Sequence, residues 1–479
     1  MSSILTNLSW KFAERATSQI VSFVVSIVLA RILTPSDYGL VAMVMIFVTL
    51  ANVLVEGGFS SALIQKKDAD KLDFSTVFYF SIVFSIVLYL ILFFLAPSIS
   101  RFYGKGYEIL TSVLRVIGLQ VIVYAINSVQ QAYVSRKMLF RKFFWSTLIG
   151  TIISACVGLY MAFVGYGIWA LVGQQLAMAI TNTLVLCIVT RKLPGIGFSF
   201  KRLTGLFGYG AKILGASFLT TVFLDLRSLI IGKIYSAKDL AFFDRGRQFP
   251  NLLVSNINSS VGAVLFPKMS QEQEDRVRVK EICRNSIRFS SYIMMPLMLG
   301  MAACAEPFIR LLLTEKWIDS VPYLQLFCII YMFYPLHTAN MQAIKAIGKS
   351  GTYLALEIIK KSIELICLLC VMRISVKAIA INMAVLTTLF TFINAYPNIK
   401  YLKYSLKEQL SDLISPLLMS LIMAVAVYLV GCLLHIPDFW TLVVQVLCGV
   451  IIYISLSHFT SNKEYRYLLD LILNKIHYY

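Results

Sequence analysis

Four charged residues fall inside a single apolar run at residues 353–372, where they could do chemistry. Glu357, Lys361 and Glu364 are spaced i, i+4 and i+7 on one face of a helix, and Lys360 lies at its edge. Ionisable groups at membrane depth are costly and usually face a cavity or a partner. Two interpretations remain open. The stripe forms a charged wall of an aqueous cavity, or the pairs Glu357–Lys361 and Lys360–Glu364 neutralise each other and fix helix packing.

Two other apolar runs carry amide and hydroxyl groups at helical spacing. Such stripes often bond one helix to another, with a contribution of roughly 1 kcal/mol or less for each bond. They are also compatible with a hydrated lumen that accepts sugars. The stripe in residues 111–133 contains Gln120, Tyr124, Asn127 and Gln131, and the stripe in residues 251–269 contains Asn251, Ser255 and Asn258.

Isolated charges mark three further positions. Glu14 and Arg15 open the first apolar run, where interfacial anchoring is the simpler explanation. Asp225 and Arg227 are two residues apart, on different helix faces, and deep enough to need partners. His337 is more typical of satisfied packing than of a proton carrier.

No sequence motif for catalysis stands out. The chain lacks a G-x-S-x-G elbow, a Walker loop and an H-E-x-x-H helix, and it has no paired acids in a soluble cleft. Without a nucleotide site, transport would depend on an ion gradient or on the concentration difference of the substrate itself. The sequence therefore predicts a protein that is not an enzyme and needs no metal or cofactor.

The elements that must position these residues are apolar helices. Of the 479 residues, 58% are hydrophobic and 14% are charged, and the mean hydropathy is +0.78. A soluble protein is about a quarter charged, and runs near 20 residues are long enough to cross a bilayer. We predict an all-α polytopic membrane protein with about 14 spans, at residues 12–33, 38–58, 75–97, 111–133, 144–164, 168–190, 208–234, 251–269, 286–312, 322–344, 353–372, 376–397, 413–434 and 438–459.

Charge bias between the loops predicts the orientation. An even number of spans places both termini on one side, and the loops on that side carry more than twice as many Lys and Arg residues as the opposite loops. The positive-inside rule assigns the richer side to the cytoplasm. This asymmetry accounts for the net charge of +19 without nucleic-acid binding, which we do not expect.

A short motif recurs 202 residues further along the chain and indicates an internal duplication. Residues 31–37, RILTPSD, align with residues 233–239, KIYSAKD, which share a basic residue, Ile, a hydroxyl and Asp in register. Each copy lies between the first two spans of a six-span set. We therefore predict an N-terminal lobe at 1–190, a cytoplasmic linker at 191–207, a C-terminal lobe at 208–397, two additional helices at 398–459 and a cytoplasmic tail at 460–479.

The motif residues also resemble a known family. LARILTPSDYGLVAM, followed by GFSSALIQKKD, resembles the opening signature of Wzx-type polysaccharide flippases of the MOP superfamily, especially the colanic- and teichuronic-acid exporter group. The resemblance continues at 242–271, 305–317 and 343–351, and covers nearly the whole chain.

The resemblance implies a fold and a transport function. Two six-helix MATE-like lobes would surround a central cavity that opens alternately to each side of a bacterial inner membrane. The implied substrate is an undecaprenyl-diphosphate-linked oligosaccharide, whose lipid tail stays in the membrane while its head crosses. Membrane lipids, a polysaccharide polymerase and export machinery are the implied partners.

The same resemblance assigns hypothetical roles to the charged and amide residues. A diphosphate needs cationic partners, and sugars need amides and hydroxyls. Coupling to H⁺ or Na⁺ would need carboxylates. The diphosphate would bind Arg15, Arg227, Lys360 and Lys361, the sugar would bind Asn127, Gln131, Asn256 and Asn258, and the ion would bind Glu14, Asp225 and Glu364.

Alternative functions remain open at this stage. A MATE-type multidrug antiporter would share the fold, but Lys and Arg among the buried charges argue against the export of cations. A lipid II flippase would use the same mechanism on a different sugar. A non-transporting scaffold is disfavoured by the buried charges, and a membrane polymerase or ligase usually carries a sizeable outer loop that this chain lacks.

The predicted topology can be tested with reporter fusions. A fluorescent protein fused after residue 403 or at the C-terminus should fold in the cytoplasm, and alkaline phosphatase fused after residue 436 should be active outside it. Active phosphatase at the C-terminus would contradict the orientation. Equal phosphatase activity of fusions made after residue 403 and after residue 436 would contradict the span predicted between them.

Overall fold

The regular structure of the chain is built from helices. The computed structural model describes residues 2–66, 68–190, 195, 197–434 and 436–476. One 3₁₀ helix covers Glu315–Ser320. The α-helices are α1 (Ser2–Ile32), α2 (Pro35–Glu56), α3 (Phe59–Gln65), α4 (Lys71–Tyr103), α5 (Ile109–Ile117), α6 (Gln120–Arg136), α7 (Phe140–Phe163), α8 (Ile168–Thr190), α9 (Phe200–Ile234), α10 (Ala237–Gln271), α11 (Arg276–Ala303), α12 (Ala305–Leu313), α13 (Val321–Met332), α14 (Tyr334–Ala346), α15 (Ser350–Val371), α16 (Val376–Leu402), α17 (Leu406–Leu433), α18 (Asp438–Phe459) and α19 (Lys463–Ile476).

Each predicted span coincides with one helix or with two consecutive helices. The span at 111–133 is divided between α5 and α6, and the span at 322–344 between α13 and α14. By length and composition, 10 helices in the described part of the chain can cross a membrane, or 11 when α11 and α12, which meet at 71°, count as one span. The all-α polytopic class is confirmed, and the number fourteen stays a prediction.

The turn before α2 is closed by a side-chain cap. The Thr34 hydroxyl accepts a hydrogen bond from the backbone N–H of Asp37 at 3.3 Å, and the Asp37 carboxylate accepts one from the Thr34 N–H at 2.9 Å. Pro35 occupies the first turn, where its missing N–H costs nothing. This reciprocal capping box satisfies two backbone donors that a helix start leaves unpaired.

The second copy of the motif caps α10 with the same side chains. The Ser236 hydroxyl accepts from the Asp239 N–H at 3.1 Å and donates to the Asp239 carboxylate at 2.6 Å. The hydroxyl and the Asp that align in the two sequence copies therefore form the same two hydrogen bonds with each other at two helix starts. This local agreement supports the predicted duplication.

Two glycines, one near the start of α2 and one just beyond its C-cap, permit close approach to other helices. A Cβ atom at Gly39 would lie 1.7 Å from the carbonyl oxygen of Ala237, and a Cβ at Gly58 would lie 2.3 Å from that of Gly210. Gly58 also has a φ of 69°, in the left-handed region that favours glycine. Contact between backbones at both ends of α2 fixes its position against α9 and the start of α10.

Helix contacts divide the structure into two compact units, Met1–Ala241 and Phe242–Tyr479. The lobe limits at residues 190 and 208 stay a prediction, and residues 191–194 and 196 of the predicted linker lie outside the described residues. The predicted tail at 460–479 contains helix α19, which lies beyond the last predicted span.

The close contact of α2 predicts an effect on stability. Gly39→Ala forces a Cβ against the Ala237 carbonyl, and overpacking of this kind costs about 1–3 kcal/mol. The thermal midpoint of the detergent-solubilised protein should fall. Gly205→Ala is the matched control, because nothing lies within 4 Å of its Cβ position and Ala favours a helix interior. A midpoint for the Gly39 variant equal to that of the control would contradict the contact.

Candidate functional site

The charged stripe predicted at 353–372 lies on α15 and forms two ion pairs. Lys360 Nζ lies 2.6 Å from Glu357 Oε1, and Lys361 Nζ lies 2.8 Å from Glu364 Oε2. Both pairs are spaced i, i+3, whereas the sequence suggested pairs at i, i+4. Either spacing brings side chains together on one helix face. Lys360 is the more enclosed ammonium, with 11% of its side chain exposed against 37% for Lys361.

The first amide stripe holds three helices together. Asn127 Nδ2 of α6 donates to Thr183 Oγ1 of α8 at 3.0 Å and to Asn182 Oδ1 at 3.4 Å. Ser146 of α7 donates to the same Asn182 oxygen at 3.2 Å. Asn127 is buried, whereas Gln131, which donates to it, is exposed. The packing interpretation therefore describes Asn127, and Gln131 keeps a surface that could contact a sugar.

The two asparagines predicted on α10 differ in their bonding. Asn256 Nδ2 donates to the Leu252 carbonyl one turn earlier at 2.9 Å. The Oδ1 atom of Asn258 is buried and has no hydrogen-bond partner among the described residues. A buried oxygen without a partner is costly, so Asn258 is the better candidate to bind a polar ligand.

The remaining predicted residues lie on α1 and α9. The Thr147 hydroxyl of α7 donates to Glu14 Oε1 at 3.2 Å, one turn from the 3.4 Å contact between Ser18 and Thr151. These contacts anchor α1 to α7. Arg15 is exposed, and Asp225 and Arg227 are half-buried on α9.

The predicted residues are distributed over both units. The diphosphate set places Arg15 and Arg227 in the first unit and Lys360 and Lys361 in the second. The sugar set divides between Asn127 with Gln131 and Asn256 with Asn258, and the ion set between Glu14 with Asp225 and Glu364.

His337 belongs to a polar network in the second unit. Its Nδ1 lies 2.6 Å from Asn394 Nδ2, and its Nε2 lies 3.4 Å from Thr391 Oγ1. One turn along α14, Asn340 donates to Gln409 of α17 at 3.0 Å. The network joins α14, α16 and α17, which fits the packing role that the sequence favoured for His337.

Sequence reasoning missed a buried carboxylate in the second unit. The Asp412 side chain of α17 is 0% exposed and accepts from Arg284 at 2.7 and 3.0 Å and from Arg288 at 2.7 Å. The Tyr404 hydroxyl donates to it at 2.7 Å. Such a carboxylate is stable only when it is paired and hydrogen-bonded. The signal in the sequence was the i, i+4 spacing of the two arginines.

A second carboxylate cluster lies in the first unit. The Asp73 side chain, 0% exposed, lies 2.7 Å from Lys66 Nζ and 3.3 Å from Arg202. Arg202 also donates to Asp70, the N-cap of α4, at 2.5 Å. This hydrogen bond lowers the pKa of Asp70 to about 2. The cluster connects the start of α4 to α9 and to the chain after α3.

An apolar cavity of about 760 Å³ lies within the second unit, between helices α11, α17 and α18. Pro296 and Gly300 of α11, Met423 and Val427 of α17, and Gly449 of α18 form much of its wall. Few polar groups face it. The volume falls within the usual range of ligand pockets, about 300–1,000 Å³.

Residues 28–322 match the model of the family described as "Polysaccharide biosynthesis protein", which is more than half of the chain. The chain belongs to this family. The match agrees with the resemblance of its motifs to Wzx-type polysaccharide flippases.

Curated relatives agree with the family. The chain is 24% identical to the succinoglycan biosynthesis transport protein ExoT of Rhizobium meliloti (strain 1021), over 67% of this chain and 65% of that protein. It is 22% identical to the teichuronic acid biosynthesis protein TuaB of Bacillus subtilis (strain 168), over 72% of each. It is 23% identical to the lipopolysaccharide biosynthesis protein WzxC of Escherichia coli (strain K12), over 63% and 62%. The chain thus spans less than two thirds of ExoT and of WzxC.

Solved structures share the fold of this chain. The lipid II flippase MurJ in an inward closed conformation superposes with a TM-score of 0.75 at 17% identity, covering 96% of this chain and 100% of that one. An inward-facing MATE multidrug transporter gives a TM-score of 0.60 at 12% identity, with 83% and 99% covered. These likenesses establish a MATE-like fold and leave the substrate open.

The polar contacts of α6 predict that Asn127 and Gln131 differ in role. Asn127→Leu leaves Thr183 and Asn182 without this partner and should lower stability by about 1 kcal/mol, as for other polar contacts between membrane helices. Gln131→Leu, on the exposed side, should leave the thermal midpoint nearly unchanged. An Asn127 variant that keeps wild-type stability but loses transport would contradict the packing role.

Proposed function

We propose that this protein is a transporter, namely a flippase for an undecaprenyl-diphosphate-linked oligosaccharide. It would move the sugar head from the cytoplasmic to the outer leaflet of a bacterial inner membrane by alternating access, with an H⁺ or Na⁺ gradient as the driving force. Both termini would be cytoplasmic, and the predicted lobes at 1–190 and 208–397 would be the moving parts. The observation that carries the proposal is the apolar cavity of the second unit.

The cavity supports a substrate with a lipid chain. Its wall consists of small and flexible apolar residues such as Gly300, Gly449 and Met423, which leave room for a chain without offering bonds to a sugar. It is bounded by α17 and α18, the helices outside the predicted six-helix repeat. A water-soluble drug would make few favourable contacts in such a cavity, whereas a polyprenyl tail could remain in it while the polar head moves.

The charged helix α15 supports an anionic head group. The enclosed Lys360 ammonium is a point charge suited to a phosphate oxygen. In the proposal, Lys361, Arg15 and Arg227 complete the diphosphate set, and Glu364, Glu14 and Asp225 couple an ion. Cationic residues among the buried charges do not fit a cation-exporting multidrug antiporter.

The polar groups that remain available support an oligosaccharide. Gln131 is exposed, and the Asn258 oxygen has no partner among the described residues, so both could accept a sugar hydroxyl. The proposal keeps Asn127 and Asn256 as weaker candidates, since both donate hydrogen bonds within the protein. The named products of the relatives are bacterial polysaccharides, which suits a polysaccharide polymerase as the next partner.

The proposal is tested by detecting undecaprenyl-diphosphate oligosaccharide in each leaflet. In cells that lack the gene, the lipid-linked sugar should accumulate on the cytoplasmic face, and the wild-type gene should restore export. The Lys360→Gln variant should restore export to less than a tenth of the wild-type level, because the proposed phosphate partner is lost. Lys407→Gln is the control, since Lys407 is exposed at the start of α17.

Two outcomes would contradict the proposal. An unchanged leaflet distribution after gene loss, together with reduced export of small organic cations, would assign the protein to drug transport. Full activity of a stably expressed Lys360 variant would remove this residue from the head-group site.

A further inference from the structure

A row of residues on α11 runs from charged residues into the apolar cavity. Six residues, five on the helix and one at its C-cap, are spaced four apart, so each lies next to the one before it while the row turns by about 40° around the helix at each step. The last four line the cavity. The first two are the arginines that bind Asp412. In order, the six are Arg284, Arg288, Tyr292, Pro296, Gly300 and Cys304.

Helices α17 and α19 place the arginine cluster beside the same end of the cavity. Met423 and Val427, which line the cavity, follow Asp412 by about three and four turns of α17. Tyr465 and Leu469 of α19 also line it. The positive-inside prediction assigns this end to the cytoplasm, where α11 and α17 begin.

The cluster carries one positive charge in excess. Arg284 and Arg288 contribute two charges, and Asp412 neutralises one of them. Asp412 is fully enclosed, whereas the arginine side chains are 33% and 27% exposed. Each guanidinium has five N–H donors, and the bonds to Asp412 engage two nitrogens of each. Donors therefore remain on both arginines, held in place by a buried acceptor.

We propose that Arg284 and Arg288 bind the diphosphate of the lipid substrate on its arrival from the cytoplasmic leaflet, while the polyprenyl chain enters the apolar cavity. Arginine pairs with phosphate through two parallel hydrogen bonds. Arg288 precedes Tyr292, the first residue of the cavity face, by four residues, or about 6 Å along the helix. A diphosphate attached directly to a prenyl chain matches this sequence of charge followed by apolar wall.

This inference rests on the proposed function and adds a site to it. Arg15, Arg227, Lys360 and Lys361 would bind the head during its passage, whereas Arg284 and Arg288 would capture it first. Asp412 is then a positioning residue, because it holds both guanidinium groups without contacting the lipid.

The probe for the experiment is geranylgeranyl diphosphate, with geranylgeraniol as its uncharged counterpart. Binding of both to the purified full-length protein in nanodiscs would be measured for Arg288→Gln. This variant leaves Asp412 with its two bonds from Arg284 and removes the excess charge. Affinity for the diphosphate should fall at least tenfold, and affinity for the alcohol should not change. Arg278→Gln is the matched control on the same helix, because Arg278 is 54% exposed and pairs with Glu281.

Further variants keep the result interpretable. Arg288→Lys retains the charge and loses the paired donors, so its affinity for the diphosphate should fall by less than that of Arg288→Gln, and the thermal midpoint of each variant confirms that it is folded. Equal loss of diphosphate and alcohol binding in Arg288→Gln, or no loss at all, would overturn the proposal.

A competition experiment separates the lipid substrate from ordinary membrane lipid. Phosphatidylglycerol should displace the probe only at concentrations at least tenfold above those of unlabelled geranylgeranyl diphosphate. Equal competition would mean that the site holds bilayer phospholipid, and would overturn the assignment to substrate. The flippase proposal can fail separately from this binding site. That would be the outcome if gene loss leaves the leaflet distribution unchanged while Arg288-dependent probe binding persists.

Discussion

Burial of a carboxylate among helices is the interaction on which the packing of both units depends. Asp73 and Asp412 are fully enclosed, and each is near the start of a long helix, where the helix dipole favours negative charge. An isolated ionised group could not stay there, so each requires cations from other helices. Asp73 forms ion pairs with Lys66 and Arg202, and Asp412 forms ion pairs with Arg284 and Arg288. Loss of Asp412 would leave both arginines without their acceptor, whereas loss of Asp73 would leave Lys66 without this partner and Arg202 still paired with Asp70.

The chain reversals that bring these helices together depend on local chemistry. The reciprocal bonds of Thr34 with Asp37 and the matching Ser236 and Asp239 contacts start α2 and α10 at defined residues. Gly39 then allows the start of α2 to touch the backbone of Ala237. A cap fixes where a helix begins, and a missing side chain fixes how near it can lie to its neighbour. The same short motif thus specifies both the ends of the helices and their contact.

The sequence predicted helices well and side-chain partners poorly, for a physical reason. Apolar runs near 20 residues and the Thr34 cap depend on neighbours in the chain, so they can be recognised without a structure. The ion pairs of α15 were correctly assigned to one helix face, yet Glu357 pairs with Lys360 and not with Lys361 as suggested, because i+3 and i+4 are nearly equivalent on a helix. Asp412 was missed altogether, since its partners on α11 lie 124 and 128 residues away. The cavity was equally hidden, because it is formed by residues from distant helices.

Separation of charge from apolar surface suggests how one architecture could serve many polysaccharides. The apolar cavity contacts none of the residues proposed for the sugar, and the arginine cluster beside it offers donors that match the geometry of a phosphate. Lipid and diphosphate could therefore be recognised without reference to the sugar. The relatives are named for three different products: succinoglycan, teichuronic acid and lipopolysaccharide. Discrimination among sugars would then fall to groups such as Gln131 and Asn258, which can change without disturbing the enclosed carboxylates that hold the helices together.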